Sequence, residues 1–270
     1  MSCNDTPLEQ MVGAILTSPK YRAISRDLVR RLCAQELAKG VRPAVAIKAT
    51  KAKLHQVAGA YIDRRSDYNR WLEELADARA SGCEDRFREA CARAMGCHAS
   101  SRERLPYLAE MFACVLADVG PIGTVLDLAC GLNPLAIPWM QLGPTTQYLA
   151  YDVYHDLVEF LNGFMRLAGV RGQAAVRDVL SVLPNEQADV AFVMKSMPCL
   201  ERQDGSAPAR ILDELRASRL VVSYPARTLG GRNKGMAENY EARLMALVTE
   251  RRFAVRRFRF PGEVVFLLSR

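Results

Sequence analysis

Histidine is scarce in this chain, with three among 270 residues, and none joins cysteines at the spacing of a zinc site, so a bound metal is not expected. The eight cysteines include no Cys-x-x-Cys pair; scattered in this way they read as reduced, mostly buried thiols of a cytoplasmic protein rather than as a disulfide framework. Nowhere does an uncharged apolar run reach the roughly 20 residues of a membrane span, and the opening MSCNDTPLEQ lacks the basic and then apolar pattern of a secretory leader. Glycine is thin where a dinucleotide-binding sheet wants a cluster of about three: the stretch CGLNP at 130–134 has one.

Positive charge and apolar content are what the chain does have. Lys and Arg number 37 against 30 Asp and Glu, a net charge of +7 with an isoelectric point near 9.1. Such a balance attracts polyanions, and without a membrane segment RNA or DNA is the better partner. A hydrophobic content of 50% suffices for a full core and for two domains. The division falls at Gly120-Pro-Ile-Gly123, between a helical domain of residues 1–118 and an α/β domain of residues 119–270.

The helical part shows apolar residues at three- and four-residue intervals: Leu8, Met11, Val12, Ile15 and Leu16, then Leu28, Val29 and Leu32 after Ser25, then a helix opened by Pro43. Its polar positions concentrate Lys20, Arg22, Arg26, Arg30, Arg31, Lys48, Lys51 and Lys53, a density that favours a surface for RNA phosphates over an ordinary solvated face. Further helices are expected over 68–80, 84–95 and 105–119, the last preceded by Ser100 and Glu103 in capping-box spacing.

From Thr124 the pattern changes to apolar strands alternating with helices. Val125 to Ala129 leads through Gly131 to Asn133 and Pro134, an expected N-cap and first helical residue. The second strand ends at Asp152, about 25 residues beyond Asp127, where a carboxylate suits a ribose diol. A third ends at Arg177 and Asp178, where an acid suits an adenine edge or amino group. Two acids at successive strand ends without a phosphate-cradling glycine cluster favour an adenosine ligand lacking pyrophosphate, with S-adenosylmethionine the foremost candidate. Arg104, with His98 nearby, is placed to hold that ligand's carboxylate through paired hydrogen bonds. Strands over 188–194 and 219–224 and a terminal antiparallel pair over 253–260 and 264–268 complete an α/β, Rossmann-like, seven-stranded methyltransferase fold.

After the fourth strand comes Met194-Lys195-Ser196-Met197-Pro198-Cys199, beside which an acceptor is expected. The Asp/Asn-Pro-Pro-aromatic loop of exocyclic-amine methylation is missing. Pro198-Cys199 superficially resembles the nucleophile loop of cytosine-C5 methyltransferases, yet Cys199→Ala is expected to keep most activity. With no evident general base, an acceptor with an exposed ring-nitrogen lone pair, such as guanine N7, fits best, and Lys195 is expected near that base or its phosphate. The basic, glycine-rich stretch 223–240 offers Arg227, Arg232 and Lys234 for phosphates and Met236 and Tyr240 for pressing on a base.

Six segments together, KYRAISRDLVRR, AKLHQVAGAYI, HASSRERLPYL, LDLACGLNPLAIPWM, MKSMPCLERQ and SYPARTLGGRNKGMAENY, resemble the aminoglycoside-resistance 16S rRNA methyltransferases of the Arm family, which act on guanine 1405 at N7. The resemblance runs from about residue 10 to the C-terminus. It implies S-adenosylmethionine as cofactor, the 16S rRNA of assembled 30S subunits as partner, and resistance to 4,6-disubstituted deoxystreptamines. Carried over by position, it implies cofactor contacts from Tyr61, His98, Ala99, Ser100, Arg104, Ala129, Asp152, Asp178, Val179, Met194 and Gln203. For rRNA it implies Lys20, Lys51, Lys53, Arg232, Met236 and Glu263. Alternatives are a sister enzyme acting on N1 of adenine 1408, a non-catalytic ribosome-binding protein on the same fold, and a small-molecule methyltransferase.

Overall fold

The structure, a computed structural model, describes residues 6–58, 67–226 and 236–270. Its helices are α1 (Pro7–Leu16), α2 (Arg26–Leu37), α3 (Pro43–Ala58), α4 (Tyr68–Ala80), α5 (Glu84–Met95), α6 (Ala99–Arg104), α7 (Leu108–Leu116), α8 (Ile137–Met140), α9 (His155–Leu167), α10 (Met197–Gln203), α11 (Ala207–Glu214) and α12 (Met236–Thr249). Its strands are β1 (Thr124–Leu128), β2 (Gln147–Asp152), β3 (Gly172–Val176), β4 (Ala188–Met194), β5 (Ala217–Pro225), β6 (Ala254–Phe260) and β7 (Glu263–Ser269). The strands form one sheet in the order β3-β2-β1-β4-β5-β7-β6. The pairs from β3 through β5 are parallel, while β7 runs antiparallel to β5 and to β6. The expected seven strands and terminal antiparallel pair are therefore present.

Period-two alternation sorts each strand between two cores. Val125, Tyr148, Val190, Phe192 and Val265 face the layer of α4, α5, α7 and α9. Leu126, Leu128, Leu149, Ala191, Val193 and Phe266 face α10, α11 and α12. The approach of α9 to α4 needs Gly163, because a Cβ there would stand 2.8 Å from Leu72. In the edge strand β6, Arg256, Arg257 and Arg259 are exposed, charges that discourage a further strand from pairing.

The helices before residue 118 do not share one core. Met11, Val12, Ile15, Leu28, Val29, Leu32 and Leu54 of α1, α2 and α3 enclose a small cluster of their own. By contrast Trp71, Leu75, Phe87 and Phe112 of α4, α5 and α7 lie in the sheet's core. The single helix expected over 105–119 is also divided: Pro106 sits in a 3-10 turn at Leu105–Tyr107, with α6 before it and α7 after. The three-helix unit joins the sheet at the end of β2, where Ser25 N donates to Val153 O at 2.7 Å and His155 N donates to Ala23 O at 2.8 Å.

Candidate active site

Strand order reverses between β1 and β4, and there the connections that follow these two strands lead to opposite sides and open a crevice. Ala129 (φ 48°) and Lys195 (φ 55°), each just beyond the end of one of these strands, are non-glycine residues in the left-handed region. Such backbone strain clusters at ligand sites. Gly131 (φ 51°) completes the bend after β1. The resulting pocket encloses about 1190 Å³, its open mouth included.

Asp152 ties the bend to the neighbouring strand. Its Oδ2 accepts from Gly131 N at 2.9 Å and its Oδ1 from Val153 N at 2.7 Å, so the carboxylate at the end of β2 fixes the loop after β1. Burial raises its pKa above the ordinary carboxylate range, while the hydrogen bonds from Gly131 and Val153 oppose that rise.

Asp178, just past β3, is held differently. Arg31 of α2 grips it with a fork, Nε to Oδ2 at 2.6 Å and Nη2 to Oδ1 at 3.2 Å. Ser181 Oγ and Leu180 N donate to the same two oxygens at 2.8 and 3.2 Å. Gln203 at the end of α10 accepts a further bond from Arg31 Nη2 at 2.9 Å.

A buried ionic cluster closes the other end. Arg104, 2% exposed, donates from Nε and Nη2 to Glu263, 0% exposed, at 2.9 and 2.6 Å, and from Nη1 to Asn133 at 3.1 Å. Lys195 Nζ lies 2.9 Å from Glu103 and 3.7 Å from Glu263. Burial alone would raise the Glu263 carboxyl, but the guanidinium beside it holds it below the usual range. Asn133 also donates to Asp127, which accepts from Tyr148 as well. Burial pushes the Asp127 carboxyl up to about 7.

Of the expected cofactor residues, His98, Ser100, Arg104, Ala129, Asp152, Asp178, Val179, Met194 and Gln203 line this one pocket, and Lys195 lines it with them. Ala99 is buried but is not part of the lining. Tyr61 and Arg232 lie outside the described residues, and of Met236 only its place at the start of α12 is described.

Several local expectations are corrected. Asn133 is no cap: it begins a 3-10 turn, and its amide is engaged by Arg104 and Asp127. Ser100 and Glu103 form no capping box, since α6 begins at Ala99 while Ser100 meets His98 at 2.9 Å and Glu103 meets Lys195. Glu263 does not face outward toward RNA: it is fully buried and paired with Arg104 and Lys195. Lys195, expected near the acceptor base, is a buried lysine. The Arg104 fork, expected to hold a ligand carboxylate, is engaged by Glu263 and leaves one hydrogen on each of Nη1 and Nη2 for such a contact. Cys199 lines the pocket and accepts a bond from Arg202.

The cations of the three-helix unit also separate. Lys20 is exposed, with Nζ 3.4 Å from His55, whereas Lys53 pairs with Glu36 at 2.7 Å and Arg26 and Arg30 both pair with Glu9. Sequence spacing did not single out Glu103 as a pocket-side partner, nor Leu28, Tyr68 and Trp71 as lining residues. Periodicity had marked Leu28 and Trp71 only as core.

The donor set fits a nucleoside carrying a charged amino-acid tail: the lining combines the strand-end acids Asp152 and Asp178, apolar Leu28, Val179 and Leu200, and the cations Arg104 and Lys195. Among the described residues no group of His, Cys, Asp and Glu is arranged to hold a metal ion, and no helix is long and apolar enough to cross a membrane.

Comparison with known proteins adds three findings. A family model described as ribosomal RNA methyltransferase (FmrO) matches residues 17–267. The 16S rRNA (guanine(1405)-N(7))-methyltransferase of Frankia casuarinae is 39% identical over 97% of this chain and 94% of its own, and that of Micromonospora echinospora is 35% identical over 100% and 99%. The crystal structure of 16S rRNA methyltransferase RmtF in complex with S-adenosyl-L-homocysteine superposes with a TM-score of 0.82 at 34% identity, covering 98% of this chain and 99% of that one.

Proposed function

The chain belongs to the FmrO family of ribosomal RNA methyltransferases, and on that footing we propose that it methylates N7 of guanine 1405 of 16S rRNA with S-adenosylmethionine as donor. One observation carries the reading to this chain's own residues: two strand-end acids, Asp152 and Asp178, share a crevice with a buried cationic end, Arg104 and Lys195, at the strand-order switch. Bound there, S-adenosylmethionine supplies a methyl on a positively charged sulfur, which a guanine N7 lone pair takes without first losing a proton.

The protein's task is then to orient. Asp152, fixed by Gly131 and Val153, retains lone pairs for a ribose diol. Asp178 and Val179 bound the adenine end, with Met194 and Gln203 beside it. His98, Ser100 and Ala129 shape the turn-side wall. Arg104 offers its remaining Nη1 hydrogen to the amino-acid carboxylate, held rigid by Glu263. Lys195 marks the acceptor side at the end of β4, and Glu263 acts by balancing it from below.

The α1–α3 unit docks on rRNA of the assembled 30S subunit, in the cytoplasm, through Lys20, Lys51 and Lys53, while Arg232 and Met236 lie nearer the target base. Methylation at N7 adds bulk and positive charge to the nucleotide, which confers resistance to 4,6-disubstituted deoxystreptamines. The test is to incubate 30S subunits with enzyme and methyl-labelled S-adenosylmethionine and map the label. Label at N7 of guanine 1405 is expected. Label at N1 of adenine 1408, or none, would overturn the reading.

A further inference from the structure

Arg31 belongs by sequence to the basic set of the three-helix unit, and its position on α2 places its backbone in that unit's separate core, between Val29 and Leu32. Its guanidinium nevertheless ends 147 residues away in sequence, on the pocket acid Asp178, where the side chain is only 15% exposed. A bidentate guanidinium–carboxylate pair fixes distance and orientation together. A carboxylate has about four lone-pair sites, and at Asp178 these are matched by Arg31 Nε, Arg31 Nη2, Leu180 N and Ser181 Oγ. The same Nη2 donates to Gln203, so one cation aligns a residue from each side of the proposed adenine end. Arg31 Nη1 is buried and has no partner among the described residues.

The other contacts of this helix point the same way. Ser25, which immediately precedes α2, donates to Val153 O, and Ala23 O accepts from His155 N, so the chain entering α2 is bonded to the loop that starts directly after Asp152. Leu28, one turn before Arg31, lines the pocket itself. The stretch 23–31 therefore touches the loop behind one rim acid and the carboxylate of the other, while Lys20 of the same unit is exposed and Lys51 half-buried.

We propose that Arg31 is a positioning residue of the cofactor pocket supplied by the RNA-docking helices, and that through it cofactor affinity and 30S docking are thermodynamically linked. The inference rests on the reading given under Proposed function. A shift of α2 on rRNA moves the Arg31 fork, and with it Asp178 and Gln203; a cofactor that favours the aligned arrangement favours the same α2 position. Linkage makes the effect reciprocal: each partner tightens the other by one common factor.

The test uses S-adenosylhomocysteine as a non-reacting probe, with its affinity measured calorimetrically for the full-length wild type, Arg31→Lys and Arg31→Met. Arg31→Lys keeps the charge and loses the fork, so it separates positioning from simple charge balance. Both variants are expected to bind the probe about tenfold more weakly. Affinity for 30S subunits is then measured with and without saturating probe. Wild type is expected to gain about fivefold or more, and the Arg31 variants less than about twofold.

Probe affinity within about twofold of wild type in both variants, or an unchanged gain on 30S subunits, would overturn the proposal and leave the methyltransferase reading standing. A wild type that binds neither probe nor subunit would remove both. Far-ultraviolet circular dichroism and thermal melting check folding; should Arg31→Met not fold, Arg31→Lys and Asp178→Asn carry the comparison, because Asp178→Asn must abolish the same gain.

Discussion

The protein holds two basic regions of opposite design. At the pocket, Arg104 and Lys195 are buried and lie against the buried Glu263, and Lys195 also pairs with the exposed Glu103, so both cations are matched within the fold. On the three-helix unit, Lys20 is exposed and Lys48 faces solvent, while Glu36 is shared by Lys39 and Lys53 and leaves that trio with net positive charge. In the first region, geometry is the product of charge: removing one member strands the others in a low-dielectric setting. In the second, the field is the product, and it acts on a partner across water and is weakened by salt. The same residue types therefore predict opposite consequences when removed.

The largest expected effect comes from breaking the buried region. Arg104→Met leaves Glu263 without its fork and Asn133 without a donor, and about 3–5 kcal/mol of stability should be lost, readable as a lower midpoint in denaturant. Activity should fall below detection even at temperatures where the variant is folded. A variant with near wild-type stability would show that the cluster does not behave as one unit and would erase the contrast.

The outer region should give the complementary result. Lys20→Ala combined with Lys51→Ala is expected to leave stability within about 0.5 kcal/mol of wild type, as surface substitutions do. Affinity for 30S subunits should drop about tenfold, and the dependence of binding on salt should become shallower by about two counterions. Unchanged affinity with an unchanged salt slope would move the docking surface elsewhere on the molecule.

That contrast also marks what could be read from the sequence. Strand and helix order was legible because near-continuous apolar runs, as in Val125 to Leu128 and Ala188 to Met194, are what strands covered by a core on each face require. Asp152 was legible because a strand end is a fixed place in such a sheet. The partners of the charged residues were not. Arg31 and Arg30 are neighbours in a basic run, yet one reaches Asp178 and the other Glu9, because helix rotation sends them to different surfaces. The resemblance placed Glu263 among the rRNA contacts, but its register opposite Pro225 brings it inward to the buried Arg104. Short polar motifs misled for a related reason: Glu103 and Asn133 are taken by the distant partners Lys195 and Arg104, and Ser100 by His98 two residues before it.

The smallest expected effect sharpens the comparison through pH. Asp127 lies in the buried region between Tyr148 and Asn133, with Oδ1 buried and without a partner among the described residues. Burial raises its carboxyl to about 7 from an ordinary value of 3.8. Below about pH 4 it is protonated in both folded and unfolded chains. Between about 4 and 7 the unfolded chain releases the proton while the folded one retains it, so stability declines as pH rises through this window. Asp152 is shifted in the same direction and adds to the decline, whereas Glu263 and Glu36 are held low and lose their contributions only as pH falls below the ordinary glutamate range. Asp127→Asn keeps an acceptor for Tyr148 and stays neutral. It should therefore flatten the stability profile between pH 5 and 8 by on the order of 1 kcal/mol, seen as a smaller drop in thermal midpoint than in wild type. No such flattening is expected from the exposed lysines, so an identical profile for Asp127→Asn and wild type would place the pH response of the fold outside the buried region.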